Sequence, residues 1–89
     1  MLKLSTTSRF DKDLKLCQKR GYNLTLLSDV VTILREQRLL PAKYQDHKLS
    51  GDYINFRECH VLPDWLLIYR VQNDVLVLNR TGTHSDLFR

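Results

Sequence analysis

Three histidines in the C-terminal half are the residues of this sequence best suited to chemistry. His47, His60 and His84 are the only histidines among the 89 residues, and they lie in dissimilar polar segments. Imidazole gains and loses a proton near neutral pH, so each can serve as an acid or a base. Because Arg57 and Arg80 lie in the same half of a basic chain, this set favours acid–base chemistry on a phosphate. The alternative is that the histidines are unrelated polar residues at loop edges.

Cleavage of RNA through its own 2′-hydroxyl matches this set of residue types. The reaction requires a base for the hydroxyl proton, an acid for the leaving 5′-oxygen and a cation for the charge that develops on phosphorus. Histidine can fill the first two roles near pH 7, and the planar guanidinium of arginine suits the third. Arg57 and Arg80 are the candidate cations. Asp64, next to a predicted turn, can orient a histidine or share in proton transfer.

A metal site is the competing interpretation of the histidines. They are separated by thirteen and twenty-four residues, so no HxH, HxxxH or HExxH arrangement places two of them on one face of one element. Distant ligands can converge in a fold, but nothing in the spacing predicts it. We therefore expect neither a metal nor another cofactor.

Length and composition predict one small domain over residues 1–89, in the cytoplasm. No apolar run is long enough to span a membrane, and the N-terminus lacks the apolar stretch of a signal peptide. Cys17 and Cys59 have no CxxC spacing, and we expect both to be reduced and partly buried. Residues 1–45 hold nine Lys/Arg and four Asp/Glu, net +5, whereas residues 46–89 are at net −1. The positive half favours a polyanionic partner.

The hydrophobic pattern predicts an α+β fold in the order β-α-α-β-β-β. The expected elements are a strand at Leu2–Ser5, a helix capped by Ser8 and ending at Arg20-Gly21, a helix capped by Asn23 and running to about Gln37, and strands at Tyr53–Val61, Trp65–Val71 and Val75–Thr81. Residues 41–52 read as a polar connection, and 83–88 as a short tail that can form one helical turn. Both helices should pack on one face of a small, mainly antiparallel sheet, which leaves the other face for a site.

The first predicted helix has two distinct sides. Its apolar side should face the core, and its opposite side carries a lysine stripe, formed by Lys12, Lys15 and Lys19. The inward residues are Phe10, Leu14 and Cys17. On the second helix the inward residues are Leu24, Leu27, Val31 and Leu34. The lysine stripe can grip an RNA backbone, or it can be an ordinary solvated helix face.

Aromatic residues of the C-terminal half are candidates for stacking on unpaired bases. They are Tyr53, Trp65, Tyr69 and Phe88. For Tyr69, inside an apolar strand, packing in the core is the favoured interpretation. Phe88 lies near the end of the chain and can either contact a ligand or anchor the tail.

Three segments together resemble the YafQ branch of the RelE/ParE superfamily of bacterial toxins. They are Tyr44–Gly51 with D-H-x-L-x-G, Phe56–Tyr69 with R-[DE]-x-H-[VI]-x-P-D, and Arg80–Phe88 with R-x-G-[ST]-H-x-x-L-F. The combination in this order is specific, although no single segment would be. The resemblance runs nearly end to end and implies a RelE-like fold. It also implies a ribosome-dependent endoribonuclease that cuts mRNA in the decoding site and is held inactive by an antitoxin protein.

The resemblance also implies roles for individual residues. It places the catalytic site on His47, His60, Asp64 and His84, with Arg80 as the phosphate-contacting cation, Phe88 as the terminal aromatic and Trp65 directly after the site aspartate. His84 is then the general acid, His47 or Asp64 the base, and His60 positions the phosphate. Where this chain has Glu58, an aspartate is sometimes found in this branch. Two other functions stay open on the residues alone: a non-catalytic ParE-like module that inhibits its target by contact, and an RNase that needs no ribosome.

Overall fold

The computed structural model describes residues 1–88, which form a five-stranded sheet with two helices of twelve residues. The helices are α1 (Ser8–Lys19), α2 (Leu24–Arg35) and a single turn, α3 (His84–Leu87). The strands are β1 (Lys3–Thr6), β2 (His47–Lys48), β3 (Arg57–Leu62), β4 (Trp65–Gln72) and β5 (Val75–Gly82). Their order in the sheet is β1-β5-β4-β3-β2, with β1 parallel to β5 and the other pairs antiparallel. The predicted α+β class and the mainly antiparallel sheet are confirmed.

The connection between α2 and β3 differs from the prediction. Instead of an irregular polar loop, residues 41–52 contain β2 and a 3₁₀ turn at Ala42–Tyr44, and a second 3₁₀ turn spans Gly51–Tyr53. The predicted start of a strand at Tyr53 is therefore wrong, and β3 begins four residues later. A strand of two exposed polar residues has no periodicity of its own, and only its pairing with β3 defines it.

Capping residues fix where α1 and α2 begin. The prediction of Ser8 as the first cap is wrong by one residue, because the Thr7 hydroxyl accepts the hydrogen bond from the Phe10 amide. Asn23 caps α2 as predicted, through its side-chain oxygen and the Thr25 amide. The predicted end of α2 at about Gln37 is two residues too late, since Gln37 adopts φ +56° and cannot continue the helix.

The main core lies between α1, α2 and one face of the sheet, called here the helix face. Its buried members are Leu2, Phe10, Cys17, Leu27, Val30, Leu34, Cys59, Val61, Trp65, Leu67, Tyr69, Leu76 and Leu78. The inward residues predicted for both helices all bury there or pack against this cluster, and the lysine stripe is exposed, as expected. Both cysteines are free and buried, and burial raises the pKa of the Cys59 thiol to about 12.

The opposite face, called here the site face, holds a smaller apolar cluster. Leu66, Ile68 and Leu87 are buried there, and Leu49, Tyr53 and Phe56 pack against them. The face is therefore partly covered by residues 49–56 and by α3, which is more cover than the sequence predicted. Within residues 1–88, no helix is long and apolar enough to cross a membrane.

Candidate active site

Strand register brings the predicted site residues into two rows on the site face. In the first row, His47 lies opposite Glu58, Glu58 opposite Ile68, and Ile68 opposite Arg80. In the second row, His60 lies opposite Leu66, and Leu66 opposite Gly82, two residues before His84. Residues that pair across strands share a face, and those two apart along one strand share it as well. The pleat of the sheet thus gathers residues that are up to 37 positions apart in the sequence.

The three imidazoles form a line with His60 in the middle. The centroid of its ring lies 6.3 Å from that of His47 and 5.7 Å from that of His84. His60 is the most enclosed of the three, with 14% of its side chain exposed, whereas His47 and His84 are about half exposed. His47 and His84 are therefore accessible from solvent, whereas His60 is largely covered.

Glu58 holds two of these histidines through one carboxylate oxygen. Its Oε1 lies 3.3 Å from His60 Nε2 and 3.5 Å from His47 Nε2, and the carboxylate is almost fully buried. On the far side of its ring, His47 donates from Nδ1 to the Gln45 carbonyl at 2.7 Å. A carbonyl only accepts, so a proton stays on Nδ1 and Nε2 is the nitrogen that can take up a second one. A charged His47 would be stabilised by the Glu58 carboxylate.

His84 has a carboxylate partner of its own. Asp64 Oδ1 accepts both from the His84 backbone amide at 2.9 Å and from ring Nδ1 at 2.7 Å. This pairing lowers the pKa of Asp64, chiefly through the backbone hydrogen bond and then through the ring. Because Nδ1 is engaged, Nε2 of His84 is the atom that can give or receive a proton. The predicted link between Asp64 and a histidine is therefore present in the structure.

Two arginine–aspartate pairs attach the site to α1. Arg80 donates from Nε at 2.7 Å and from Nη2 at 3.1 Å to the two oxygens of Asp13, which raises the pKa of the guanidinium. Arg20 forms the second pair, with Asp86 at 2.7 and 3.1 Å. Asp86 also completes a capping box with Thr83 at the start of α3. The turn that carries His84 is thus fastened to the C-terminal end of α1.

Two predicted substrate-binding residues lie on the helix face instead. Trp65 is 2% exposed, donates from its indole nitrogen to Thr81 and packs on the Tyr22 ring, so it cannot stack on a base. Arg57 pairs with Tyr69 across β3 and β4, one position out of phase with Glu58, and donates to Asp46. The alternation of side chains along β3 therefore directs Arg57 away from the histidines.

The remaining aromatic residues divide between core and surface. Tyr69 is buried on the helix face, which confirms packing as the favoured interpretation. Phe88 is 43% exposed, and its ring meets that of Tyr53 edge-on at 5.7 Å between centroids. An exposed ring next to His84 and Leu87 stays available to a ligand, whereas the partly covered Tyr53 supports it.

Sequence reasoning assigned no role to Glu58, Asp13, Arg20 or Asp86. One signal was available for Glu58, since residues 58 and 60 have the spacing that places two side chains on one face of a strand. A second signal was T-x-x-D at 83–86, the pattern of a capping box. The contacts of Asp13 and Arg20 span 67 and 66 residues and have no local signature.

A metal-binding donor set also exists, contrary to what the spacing indicated. One ligand atom each of Glu58, His60 and His84 lie within 4.8 Å of one another. Two imidazole nitrogens and a carboxylate oxygen suit Zn²⁺ or Cu²⁺. Spacing along the chain could not show this, because the ligands come from two elements that only the sheet brings together.

Two helices packed on one face of a mixed five-stranded sheet, with a histidine cluster and an arginine on the other face, define a small α+β toxin of the RelE-like class. The family model described as "Bacterial toxin of type II toxin-antitoxin system, YafQ" matches residues 2–89. The chain belongs to this family. It is the toxin of a type II toxin–antitoxin system and an mRNA interferase, that is, an endoribonuclease.

Individual relatives agree with this assignment. The chain is 43% identical over 83 residues to the mRNA interferase toxin YafQ of Escherichia coli K12, which covers 92% of this chain and 90% of that protein. A copper-bound mutant toxin from Helicobacter pylori superposes with a TM-score of 0.95 at 42% identity, covering 99% of this chain and all of the other. The E. coli DinJ–YafQ complex gives a TM-score of 0.91 at 39% identity, with complete coverage of both chains.

Proposed function

We propose that this toxin cuts mRNA in the decoding site of the ribosome, by attack of the message's own 2′-hydroxyl and without a metal ion in the step. The observation that carries the proposal is a pair of imidazoles that can transfer a proton, each of which is held by a different carboxylate. His47 Nε2 lies against Glu58, His84 is oriented by Asp64, and His60 lies between them. The arrangement provides a base and an acid on either side of a place where a phosphate can sit.

Each residue has a distinct role in this mechanism. His47 takes the 2′-hydroxyl proton, with Glu58 compensating its new charge. His84, oriented by Asp64, protonates the 5′-oxygen as the bond to phosphorus breaks. His60 and Arg80 stabilise the charge on phosphorus, and Phe88 contacts a neighbouring base. The first product end is then a 2′,3′-cyclic phosphate, which water opens to a 3′-phosphate.

Ribosome dependence is supported by how open the site is. The two outer histidines and Asp64 are half exposed or more, so the protein by itself does not enclose a message around the scissile phosphate. A ribosome that holds the mRNA in place supplies the orientation that this shallow surface lacks. The exposed lysine stripe on α1 is suited to contact ribosomal RNA. Such docking places this single toxin domain in the cytoplasm, together with the ribosomes.

Modified messages test the mechanism. A message with a 2′-O-methyl sugar just 5′ of the cut should bind programmed ribosomes normally and resist cleavage, while the matched unmodified message is cut and carries a cyclic or 3′-phosphate end. Stripping metals from the toxin should not lower the rate. Efficient cutting of the 2′-O-methyl message to a 3′-hydroxyl end would contradict the mechanism. Equal rates on free RNA would contradict the role of the ribosome.

A cognate antitoxin is the second proposed partner. The related E. coli toxin is seen in a complex with DinJ, and the match of the whole chain to the family supports a comparable partner here. Co-purification of a co-expressed antitoxin with the toxin, together with loss of message cleavage, is the expected result. An antitoxin that leaves the cleavage of messages intact would contradict it.

We also propose that Cu²⁺ or Zn²⁺ binds at Glu58, His60 and His84. The donor atoms converge within 4.8 Å, and the related H. pylori toxin is described as copper-bound. Because the metal would occupy imidazole nitrogens that the reaction uses, binding should inhibit cleavage. Titration calorimetry should give one site that Glu58→Gln weakens and Asp52→Asn, at a carboxylate outside the donor set, does not. Metal that binds equally well to both variants would rule this site out.

A further inference from the structure

A cavity with a positive lining lies where β2 and β3 begin to pair. Its volume is about 430 Å³. Three cationic side chains line it, namely Lys48, Arg57 and Arg70, together with Leu49, Ile54, Asn55, Phe56 and Val71. None of the described residues in this lining carries a carboxylate. We call it the basic cavity.

The strand register places two of these cations directly opposite each other. Lys48 pairs with Arg57 across antiparallel β2 and β3, one position along from the pair His47–Glu58. Like charges at directly opposed positions destabilise a sheet. Asp46 compensates part of this charge, since its Oδ1 accepts from Arg57 Nε at 3.2 Å, but the same oxygen also accepts from the Tyr69 hydroxyl at 2.6 Å. The compensation of the cavity's three cations by this one carboxylate is therefore incomplete.

Arg70 adds the third charge and a donor without a partner. Its guanidinium carbon lies 5.2 Å from the centroid of the Phe56 ring, within the range of a cation–π contact. Its Nε is buried and has no hydrogen-bond partner among the described residues. A buried donor left unpaired destabilises the free protein, and the fold retains it here beside two further positive charges. An anion in the cavity would offset both the repulsion and part of this deficit.

We infer that the basic cavity binds a backbone phosphate of RNA other than the phosphate that is cut. The inference rests on the proposed function as an RNA-cutting toxin. Side chains of adjacent residues in a strand point to opposite faces, so Lys48 and Arg57 lie on the side of the sheet away from the His47–Glu58 pair. A guanidinium in contact with an aromatic ring and a neighbouring ammonium are donors that suit a phosphodiester. The phosphate can belong to the message or to ribosomal RNA, because both present the same group.

Neutral variants of the cavity test this inference by binding rather than by cleavage. Lys48→Met and Arg70→Met, alone and together, are compared with Lys3→Met, which removes the same charge from β1 at the other edge of the sheet. Affinity is measured against salt concentration for ribosomes holding a 2′-O-methyl message, for ribosomes without a message and for a free 2′-O-methyl oligonucleotide. A single cooperative unfolding transition, at a midpoint no lower than that of the parent, shows that each variant is folded.

The expected result is weaker binding and a log–log salt slope that falls by about 0.7–0.9 for the one phosphate that is no longer neutralised. A loss confined to message-bearing ribosomes and the oligonucleotide assigns the phosphate to the message. An equal loss with and without message assigns it to ribosomal RNA. Affinity and slope equal to those of Lys3→Met with every probe would overturn the inference. If the unaltered toxin does not bind ribosomes, the proposed function is wrong. Binding of the free oligonucleotide still tests the cavity in that case.

Discussion

The two faces of the sheet divide stability and chemistry between them. On the helix face, alternate residues of β3 and β4 are apolar and fully covered by α1 and α2. On the site face, the same strands carry Glu58 and His60 beside a small cluster around Leu66, Ile68 and Leu87. Each strand thus contributes to a rigid core with one set of side chains and to a reactive surface with the other. The apolar packing of the helix face stabilises the backbone. The site face can therefore hold polar groups close together, although their proximity destabilises the fold.

Replacement of His84 by alanine should affect cleavage far more than stability, and we expect this difference to be the largest among the variants below. The side chain is 54% exposed, so we expect the free energy of unfolding to change by no more than about 0.5 kcal/mol. Loss of the general acid should lower single-turnover cleavage on programmed ribosomes by roughly 10²–10⁴. Asp64→Asn keeps the imidazole but weakens its orientation and should have a smaller effect. Cleavage by the His84 variant at the parental rate would remove His84 from the mechanism.

Two adjacent leucines of β4 offer a direct comparison of the faces. Leu66 and Leu67 are both fully buried but point to opposite sides of the sheet. Either change to alanine should destabilise the protein by about 2–5 kcal/mol, measured by denaturant unfolding. Leu67→Ala should leave the cleavage rate per folded molecule unchanged. Leu66→Ala should also lower it, because Leu66 lies opposite His60 and packs in the cluster that includes Leu87 of α3. Identical cleavage rates per folded molecule for both variants would contradict this difference between the two faces.

Variants of the lysine stripe test whether the outer side of α1 is a docking surface, in addition to the two faces of the sheet. Changing Lys12, Lys15 and Lys19 to Gln should weaken ribosome binding and reduce the log–log salt slope by about 0.7–0.9 for each phosphate that these lysines neutralise. Cleavage at saturating ribosome concentration should change little, because the stripe lies outside the histidine cluster. An unaltered slope would make the stripe an ordinary solvated helix surface.

The Arg20–Asp86 pair should give the smallest effect and a pH dependence of known sign. The hydrogen bond from Arg20 lowers the pKa of Asp86 well below its usual range. The pair therefore stabilises the folded protein above about pH 4, the unfolded pKa of aspartate, and this contribution is lost as the pH falls through the folded pKa. Unfolding curves of the parent and of Arg20→Met should differ at neutral pH and converge on acidification.

Positioning by Arg20 has a second signature in the kinetics. Arg20→Met should loosen the turn that carries His84 and lower the maximal cleavage rate by a few-fold, whereas Arg20→Lys should recover part of it because one hydrogen bond to Asp86 can re-form. A parallel loss of ribosome affinity with an unchanged maximal rate in both variants would instead assign Arg20 to docking.

Local patterns in the sequence were sufficient for most of the fold. Periodicity predicted α1, α2, β4 and β5 with errors of one or two residues at their ends, and the Asn23 cap followed from residue type alone. Such patterns failed where a tertiary partner defines the element. Strand β2 exists only through its pairing with β3, and α1 is capped by Thr7, whose hydroxyl also donates to the Asn79 carbonyl.

Amino-acid sequence alone predicted the α+β class and the family, and it singled out the three histidines, Asp64 and Arg80 as candidate site residues. Only the tertiary structure decided which residues meet them. Arg57 and Trp65 lie outside the histidine cluster because alternation along a strand places neighbours on opposite faces, and Glu58 belongs to the cluster for the same reason. Elements distant in the chain also form the donor set for a metal, the basic cavity, and the pairs Asp13–Arg80 and Arg20–Asp86. Their contacts follow from register and packing, and residue spacing along the sequence does not encode them locally.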